Sequence, residues 1–268
     1  MVSAILLAGY NNKREVKKYS RTVAEYYGEK FIEAGYKPLR EFKTVKNGRE
    51  ESKPMIQYTL ERLFENEFID EIVIVGHRML LEQRLGSFIK QFEKPCCIVN
   101  QNLKIPDDVI RLFNITPKKV KYNSISGNFI KGYAASNACK EKKHALFMAS
   151  DSPLTTNEFI NRFIKVVKQY KDKFAIIVPA ILIDKKKDRL GRSPLRLRND
   201  SKFQFTGKKN KYGSKGFRLS PLMSANPHRF DGITTKQTYR LLKWMRLNDH
   251  LKFFLFTLCL VCHTVFSK

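Results

Sequence analysis

The chain has 268 residues, of which 43% are hydrophobic and 12% are aromatic. This composition excludes an intrinsically disordered chain and is sufficient for one or two globular domains. Lysine and arginine number 51 against 25 aspartate and glutamate residues, so the formal net charge is +26. The charge favours anionic partners, such as nucleotides, phosphorylated metabolites, nucleic acid or acidic lipid surfaces. The base composition of a genome can produce the same lysine excess without any partner.

The five cysteines form a poor disulfide framework, because their number is odd and Cys96 and Cys97 are adjacent. The apolar run Met1–Ala8 is too short for a signal peptide and is followed by polar residues. We therefore expect a protein of the reducing cytoplasm. The motif Cys259–His263 (CLVCH) matches the c-type haem attachment pattern, but two buried thiols and a chance histidine explain it better.

Short apolar runs that end in polar turns predict buried parallel strands. The predicted strands lie at Val2–Leu7, Glu71–Val75, Cys96–Val99, Ala145–Ala149 and Phe174–Ile183. Apolar residues at helical spacing predict helices from Lys53-Pro54, over Leu81–Phe92, from Ser126 as N-cap, and behind the capping box Thr155–Glu158. Because strands and helices alternate up to residue 183, we predict a parallel sheet with helices on both faces.

The turn after the first strand is a candidate phosphate-binding loop. Gly9 permits close approach of the backbone to a ligand or a positive φ angle. The turn continues through Tyr10–Arg14, in which backbone N–H groups, Lys13 and Arg14 could cradle a phosphate. We interpret the polar residues 15–50 as a long active-site loop with some helix, because long loops in compact domains are often functional.

Asp151 lies just past the predicted strand Ala145–Ala149, which Pro153 ends. In open α/β sheets this carboxyl edge is where ligands bind. A lone carboxylate there is a hard-oxygen ligand for Mg²⁺, which keeps several waters and relies on substrate phosphates. The alternative is an aspartate that only forms a turn before Ser152-Pro153. Candidates for a second metal carboxylate are Asp184, Asp188 and Asp231, which the sequence does not rank.

The composition changes at Asp184. From Lys185 to Arg218 there are 13 lysines and arginines and two acidic residues, which we interpret as a basic lid or insertion with a short hairpin. We therefore assign residues 1–183 to an α/β domain, and residues 184–268 to the basic lid and a C-terminal helical segment of that domain.

The end of the chain combines a basic helix with an apolar run. A second capping box, Thr234–Gln237, begins the helix. The 14 residues Phe253–Phe266 are too few to span a bilayer. They could lie on an anionic membrane surface. A helix of the core or of a dimer interface is the interpretation that we favour.

Several short motifs stand in a fixed order along the chain. They are Leu6–Gly9 (LLAG), Lys37–Leu39 (KPL), Lys53–Ile56 (KPMI), Ile69–Gly76 (IDEIVIVG), Ser126–Asn128 (SGN) and Ala149–Leu154 (ASDSPL). Together they resemble the nucleotidyltransferases of the nucleotide-diphospho-sugar transferase fold, and among these the molybdenum-cofactor-guanylyltransferase-like NTP transferases. The resemblance covers about residues 2–183 well and 184–250 loosely.

The resemblance implies a three-layer α/β/α, Rossmann-like domain that binds an NTP and Mg²⁺. Such enzymes transfer a nucleotidyl group to a small phosphorylated acceptor and release pyrophosphate. On this chain, the resemblance implies that Leu7, Ala8 and Gly9 contact the nucleotide, and that Asn100, Gly127 and Asn128 lie near its base or ribose. Arg14 and Lys37 would face the triphosphate, and Lys53 is the competing lysine for this role. Asp151 would hold the metal. Lys37 and Asp151 are the implied catalytic residues.

The chain departs from the family pattern after its first strand, where Tyr10-Asn11-Asn12 replaces a second glycine and a Gly-x-Arg run. Two other functions stay open. A glycosyltransferase would use a nucleotide-sugar, although the paired Asp-x-Asp typical of it is absent because Ser152-Pro153 follows Asp151. A non-enzymatic basic protein would bind RNA or an acidic membrane. Nucleic acid is the less favoured partner, because residues 185–218 show no RNA-binding signature.

Overall fold

The computed structural model describes residues 2–9, 36–46, 49–112, 125–153, 155–183, 195–197, 203–204, 216–220 and 222–229. The predictions for Arg14, the three alternative metal carboxylates, the second capping box and the apolar run Phe253–Phe266 lie outside these residues. Contacts divide the chain into two compact units. The first comprises Met1–Ile177 and Pro221–Gly232, and the second comprises Val178–Ser220 and Ile233–Lys268.

The described residues form strands and helices in the following order. The strands are β1 (Ser3–Ala8), β2 (Glu41–Lys46), β3 (Arg49–Pro54), β4 (Glu71–Gly76), β5 (Cys96–Asn100), β6 (Ala145–Ala149), β7 (Ile176–Ile177), β8 (Ala180–Ile183), β9 (Leu195–Leu197), β10 (Phe203–Gln204), β11 (Gly216–Leu219) and β12 (Leu222–Ala225). The α-helices are α1 (Met55–Glu65), α2 (Arg78–Ile89), α3 (Asp107–Leu112), α4 (Ile125–Ala134), α5 (Asn137–Lys140) and α6 (Asn157–Tyr170). Short 3-10 helices lie at Lys37–Leu39 and Pro227–Arg229.

Among the described residues, the first unit is built on a six-stranded sheet with the strand order β5-β4-β1-β6-β12-β7. β1 pairs in parallel with β4 on one side and with β6 on the other, and β5 pairs in parallel with β4. β12 runs antiparallel to both β6 and β7. The predicted α/β fold with a mostly parallel central sheet is therefore confirmed. The antiparallel β12 is an addition that the sequence pattern did not predict.

Helices cover both faces of this sheet and so produce three layers. Along β1, Ala4 and Leu6 belong to one buried cluster, whereas Ile5 between them belongs to a second. Successive side chains of a strand point to opposite faces, so an unbroken apolar strand needs a cover on each side. Residues of α1, α2 and α6 pack in the first cluster, and residues of α4 and α5 pack in the second.

The predicted apolar faces of the helices are largely confirmed. All four predicted residues of α1 are buried: Ile56, Leu60, Leu63 and Phe64. On α6 the most buried residues are Ile160, Phe163 and Ile164, whereas the predicted Tyr170 is 37% exposed. The apolar face of α6 is therefore rotated from the predicted one.

The helix caps differ from the prediction in one case. The Thr156 side chain accepts a hydrogen bond from the Phe159 N–H at 3.3 Å and caps α6, as expected for the Thr155–Glu158 region. The prediction of Ser126 as an N-cap is wrong, because α4 already begins at Ile125 and Ser126 lies within its first turn.

Two segments of the first 183 residues form other structures than predicted. Phe174–Ile183 is not one strand. β7 joins the six-stranded sheet, whereas β8 joins a separate sheet, because Pro179 between them cannot donate a ladder hydrogen bond. Residues 41–46 and 49–50, predicted as part of the long loop 15–50, belong to the antiparallel hairpin of β2 and β3. Lys53 and Pro54, where a helix was predicted to begin, are the last residues of β3, and α1 begins at Met55.

In the second unit, the described strands form an antiparallel sheet with the order β10-β9-β11-β8. The sequence predicted only a short hairpin for the basic segment. The observed sheet is larger than a hairpin, since β11 pairs with both β8 and β9. No helix within the described residues has the length and apolar character required to cross a membrane.

Gly132 lets α4 lie unusually close to the sheet. A Cβ atom at this position would lie 2.5 Å from Ile5 Cγ2 and 2.7 Å from Val75 Cγ2. Ile5 and Val75 are fully buried in β1 and β4, so neither side chain has free space into which to move. The close approach of helix and sheet therefore requires glycine at residue 132.

We predict that Gly132→Ala destabilises the protein by about 1–3 kcal/mol, because the new methyl group overpacks the core. The matched control is Gly86→Ala in α2, where an added Cβ meets no atom within 4 Å. This control should leave stability unchanged or raise it by about 0.5–1 kcal/mol, since alanine is the better helix former. Urea denaturation of the three proteins measures both effects. Equal stability of Gly132→Ala and the unmodified protein would contradict the close packing of α4.

Candidate functional site

The candidate site lies at the carboxyl edge of the parallel strands in the first unit. Ala8, Gly76 and Asn100 are partners in register across β1, β4 and β5. On the other side of β1, Leu7 is paired with Ala149 of β6. The predicted site residues Leu7 and Ala8 of β1 and Asn100 of β5 therefore lie at the same edge of the sheet. Open α/β sheets bind their ligands at this edge.

Gly9 stands at the end of β1 against two buried amides. A Cβ atom at residue 9 would lie 2.3 Å from Asn128 Nδ2 and 2.9 Å from Gln101 Oε1. Gln101 follows β5 and Asn128 lies in the first turn of α4, and both side chains are buried. Asn128 Oδ1 is buried without a hydrogen-bond partner among the described residues. The structure thus brings the predicted Gly9 and Asn128 together and adds Gln101, which the sequence analysis did not identify.

Tyr36 fixes the ends of β1 and β4 relative to one another. Its hydroxyl group donates a hydrogen bond to the Ala8 carbonyl and accepts one from the His77 N–H at 3.1 Å. The tyrosine is 3% exposed, and its hydroxyl lies 2.5 Å from where a Cβ of Gly76 would be. Tyr36 was missed because it lies in a polar stretch without a helix or strand pattern.

Lys37 and Asp151 form an exposed ion pair at this edge. Lys37 Nζ lies 3.5 Å from Asp151 Oδ2, and the two side chains are 57% and 44% exposed. Pro38 and Leu39 are buried beside Lys37, so the short 3-10 helix anchors the lysine while its side chain reaches into solvent. Ser150 N–H donates to the Leu7 carbonyl at 3.2 Å, so pairing with β1 continues to the residue before Asp151. An exposed ion pair contributes little to the free energy of unfolding, so a ligand can bind either partner without a large loss of stability.

Lys53, the alternative to Lys37 for binding phosphate, already forms ion pairs with two glutamates. Its ammonium group lies 2.6 Å from Glu51 Oε1 and 2.7 Å from Glu61 Oε1. Burial lowers the pKa of Lys53, but the hydrogen bonds and the charges of the two glutamates outweigh it, so the pKa is raised overall. Lys53 would have to leave two carboxylates to bind a phosphate, whereas Lys37 would leave one exposed carboxylate.

The side chains of the other predicted site residues offer less to a ligand than those of Lys37 and Asp151. Ala8 and Gly127 are buried and Leu7 is partly buried, so their side chains offer little surface to a ligand. Asn100 Oδ1 accepts a hydrogen bond from the Asn102 N–H at 3.0 Å and closes its own turn. The side chain next to it, Gln101, is the one that faces Gly9.

Lys131 is buried beneath the loop that carries Gln101. It is 4% exposed, and its ammonium group donates hydrogen bonds to the carbonyl oxygens of Gln101 and of Leu103, the latter at 3.1 Å. Burial lowers the pKa of Lys131 to about 8. The lysine therefore fixes the backbone of residues 101–103, at the cost of a buried charge that no carboxylate balances among the described residues.

The carboxylates at this edge can be compared with the ligands that Mg²⁺ prefers. Asp151 offers an exposed carboxylate, and no group of three or more His, Cys, Asp or Glu side chains suited to a metal occurs among the described residues. Mg²⁺ commonly takes one or two carboxylates and fills its other positions with water and substrate phosphates. Asp151 therefore fits such an ion in the company of a phosphorylated ligand.

No protein-family model matches the sequence, and no curated protein matches it either. Among solved structures, the chain is similar to a CMP:2-keto-3-deoxy-manno-octonic acid synthetase complexed with CTP, with a TM-score of 0.55 and 10% identity over 93% of this chain and 86% of that chain.

Two further structures are similar with lower TM-scores. One is 4-diphosphocytidyl-2C-methyl-D-erythritol synthase from Anaerococcus prevotii, with a TM-score of 0.48 and 11% identity over 91% of this chain and 77% of that chain. The other is HddC from Yersinia pseudotuberculosis, with a TM-score of 0.45 and 14% identity over 86% and 83%. At these identities the likeness concerns the fold alone, and it rests on the synthetase with the TM-score of 0.55. The chain has the Rossmann-like nucleotide-diphospho-sugar transferase fold that the motifs implied.

Lys131 should make the stability of the protein rise with pH. Its pKa is about 8 in the folded protein and about 10.5 when exposed, so the unfolded chain binds more protons between these values. Relative to Lys131→Met, the free energy of unfolding should increase by on the order of 2 kcal/mol across this interval. Urea denaturation of both proteins at a series of pH values measures the difference. The other titratable groups are common to both proteins, so their contributions to the difference cancel. A difference that is independent of pH would contradict the burial of a charged Lys131.

Proposed function

We propose that the protein is a Mg²⁺-dependent nucleotidyltransferase, which transfers an NMP group from an NTP to a small phosphorylated acceptor and releases pyrophosphate. The observation that carries this proposal is the exposed pair of Lys37 and Asp151, 3.5 Å apart at the carboxyl edge of the sheet. A cation for phosphate and a carboxylate for metal stand next to each other where this kind of sheet binds ligands.

The region around Gly9 supports a nucleotide as the ligand. The amides of Gln101 and Asn128 lie directly beside the backbone of Gly9, and they fit there only because residue 9 has no side chain. Amides recognise the donor and acceptor groups of a base. We assign the base and ribose to this region and the triphosphate to the region of Lys37 and Asp151.

In the proposed reaction, an oxygen of the acceptor phosphate attacks the α-phosphorus of the NTP in line with the leaving group. The new P–O bond forms as the bond between the α-phosphorus and the bridging oxygen breaks, and pyrophosphate leaves. The acceptor phosphate is already ionised, so no general base is required. The work of the protein is to align the two phosphates and to balance charge.

Each charged residue has a distinct part in this step. Lys37 would bind triphosphate oxygens and stabilise the negative charge that develops on the leaving group. Asp151 would hold Mg²⁺, which when bound supplies further charge neutralisation at the phosphates. Arg14 is a second candidate for the triphosphate, on the family resemblance alone. The Tyr36 hydroxyl would keep the ends of β1 and β4 in place around the nucleotide.

The base of the NTP substrate, cytosine or guanine, distinguishes two versions of the proposal. CTP is the first nucleotide to test, because the synthetase of the same fold was solved with CTP. The narrower resemblance, to molybdenum-cofactor-guanylyltransferase-like enzymes, would instead require GTP. A glycosyltransferase would release a nucleoside diphosphate from a nucleotide-sugar and would form no pyrophosphate.

We predict Mg²⁺-dependent pyrophosphate formation with one of the four NTPs and an acceptor from a panel of sugar phosphates, lipid head-group phosphates and phosphorylated cofactors. Asp151→Asn and Lys37→Met should each reduce the rate by roughly 100-fold or more, because each removes charge stabilisation at the reacting phosphates. Glu158→Gln is the matched control, since it removes an exposed carboxylate that pairs with Arg162 at 2.7 Å on the surface of α6.

The control should retain the full rate, and all variants should keep the thermal stability of the unmodified protein. Retention of the rate in Asp151→Asn would refute the metal assignment. Release of a nucleoside diphosphate from a nucleotide-sugar, with no pyrophosphate from any NTP, would replace the proposal with glycosyl transfer.

A further inference from the structure

A second cleft in the first unit lies at the opposite edge of the sheet from the candidate site. Val2 precedes β1 and Lys142–His144 precede β6, so these residues mark the amino-terminal edge of the parallel strands. The end of α6 and the residues after the antiparallel β12 complete its walls. Its volume is about 570 Å³, which lies within the range of small-molecule binding sites.

Positive side chains surround this cavity, which we call the basic cleft after Lys142, Lys143, Lys168, Lys171 and Arg229. The acidic residue of the lining is Asp172. Lys143 pairs with Glu141 at 2.8 Å, whereas the other lysines of the basic cleft have no ion pair with a carboxylate in the described part of the chain. An excess of exposed, unbalanced cations around one cavity favours an anionic ligand.

Hydrogen bonds fix the wall of the basic cleft. His144 Nε2 lies 3.1 Å from the Lys171 carbonyl oxygen, and His144 Nδ1 lies 3.2 Å from Ser224 Oγ. Arg229 Nη1 donates to the same Lys171 carbonyl at 2.8 Å. The end of α6 is thereby tied to β12 and to the segment before β6. Beneath the cations, the floor is apolar: Leu146, Ile164 and Val167.

Helix ends explain part of the positive charge but not all of it. Cations are favourable near the carboxyl ends of helices, here those of α5 and α6. Arg229 already satisfies the carbonyl of Lys171 after α6, and α5 has only four residues. Lys142 and Lys168 are therefore not required as caps. Lys168 Nζ lies 5.1 Å from the centroid of the Phe68 ring, a contact that leaves its charge without a carboxylate. Lys142 and Lys168 are exposed at the side of an apolar floor, an arrangement that suits a ligand with a charged group and a less polar body.

We propose that the basic cleft is a second ligand site, which binds a small phosphorylated molecule through its phosphate group. Lysine ammonium groups bind phosphate as mobile point charges and need no fixed bidentate geometry. The cavity has room for a molecule the size of a sugar phosphate or a nucleotide, and the phosphate would lie among Lys142, Lys168 and Lys171. The site is separate from Lys37 and Asp151, so ligand bound there does not react.

The test is a titration of the full-length protein with ribose 5-phosphate and, separately, with inorganic phosphate. In protein with isotope-labelled histidine, the ring resonances of His144 report on the basic cleft, and His144→Gln identifies them. We expect a saturable shift with ribose 5-phosphate. A triple variant with Lys142→Gln, Lys168→Gln and Lys171→Gln should bind more than tenfold more weakly.

The matched control is a triple variant with Lys90→Gln, Lys165→Gln and Lys173→Gln, which removes the same charge from exposed positions outside the lining. Its affinity should stay within twofold of the unmodified protein. Lys37→Met and Asp151→Asn should also leave the His144 shift unchanged, which separates this site from the proposed active site. Thermal unfolding of each variant confirms that it is folded.

Three outcomes would overturn the proposal. The first is the absence of a saturable shift of His144 with either probe. The second is equal weakening in the two triple variants, which would indicate non-specific attraction to a basic surface. The third is a shift of His144 with RNA or with anionic vesicles alone, which would identify a macromolecular partner instead.

Discussion

The parallel pairing of β1 with β4 and β6 is the constraint on which the candidate site depends. It brings Ala8, Gly76 and Asn100 into one row and places Asp151 just beyond the strand next to β1. The pairing is possible because both faces of β1 are covered by helices, and Gly132 allows one of these helices to approach closely. Residues more than a hundred positions apart, such as Lys37 and Asp151, meet only through this register.

The sequence was sufficient to predict the parallel strands of the sheet, and with them the edge at which the candidate site lies. Short unbroken apolar runs such as Ile72–Val75 are typical of strands that are buried on both faces, and each predicted run ends near a polar or glycine residue. The hydrophobic pattern did not predict β12, because a four-residue strand far along the chain reveals neither its direction nor its partner. It also did not separate β7 from β8, where the effect of Pro179 was not taken into account.

The individual contacts at the candidate site were harder to predict than the strands that carry it. Gln101 and Lys131 are polar residues whose importance comes from burial, and burial of a lysine is not visible in a periodic pattern. Tyr36 lies in an irregular stretch, yet its hydroxyl joins the ends of two strands. Lys37 and Lys53 each precede a proline, so the local sequence pattern alone does not distinguish them, and only the family resemblance favoured Lys37. Contacts of Lys53 with Glu51 and Glu61 distinguish them, because these carboxylates already balance its charge.

The most direct test of the account is the thermal stability of the purified protein with each of the four NTPs, with and without Mg²⁺. A ligand at about 100 times its dissociation constant adds roughly 2.7 kcal/mol to the free energy of unfolding. The account predicts that one NTP stabilises the protein, that the effect requires Mg²⁺, and that Gly9→Ala abolishes it by displacing the amides of Gln101 and Asn128. Absence of stabilisation by every NTP in the presence of Mg²⁺ would contradict a nucleotide site at the carboxyl edge of the sheet.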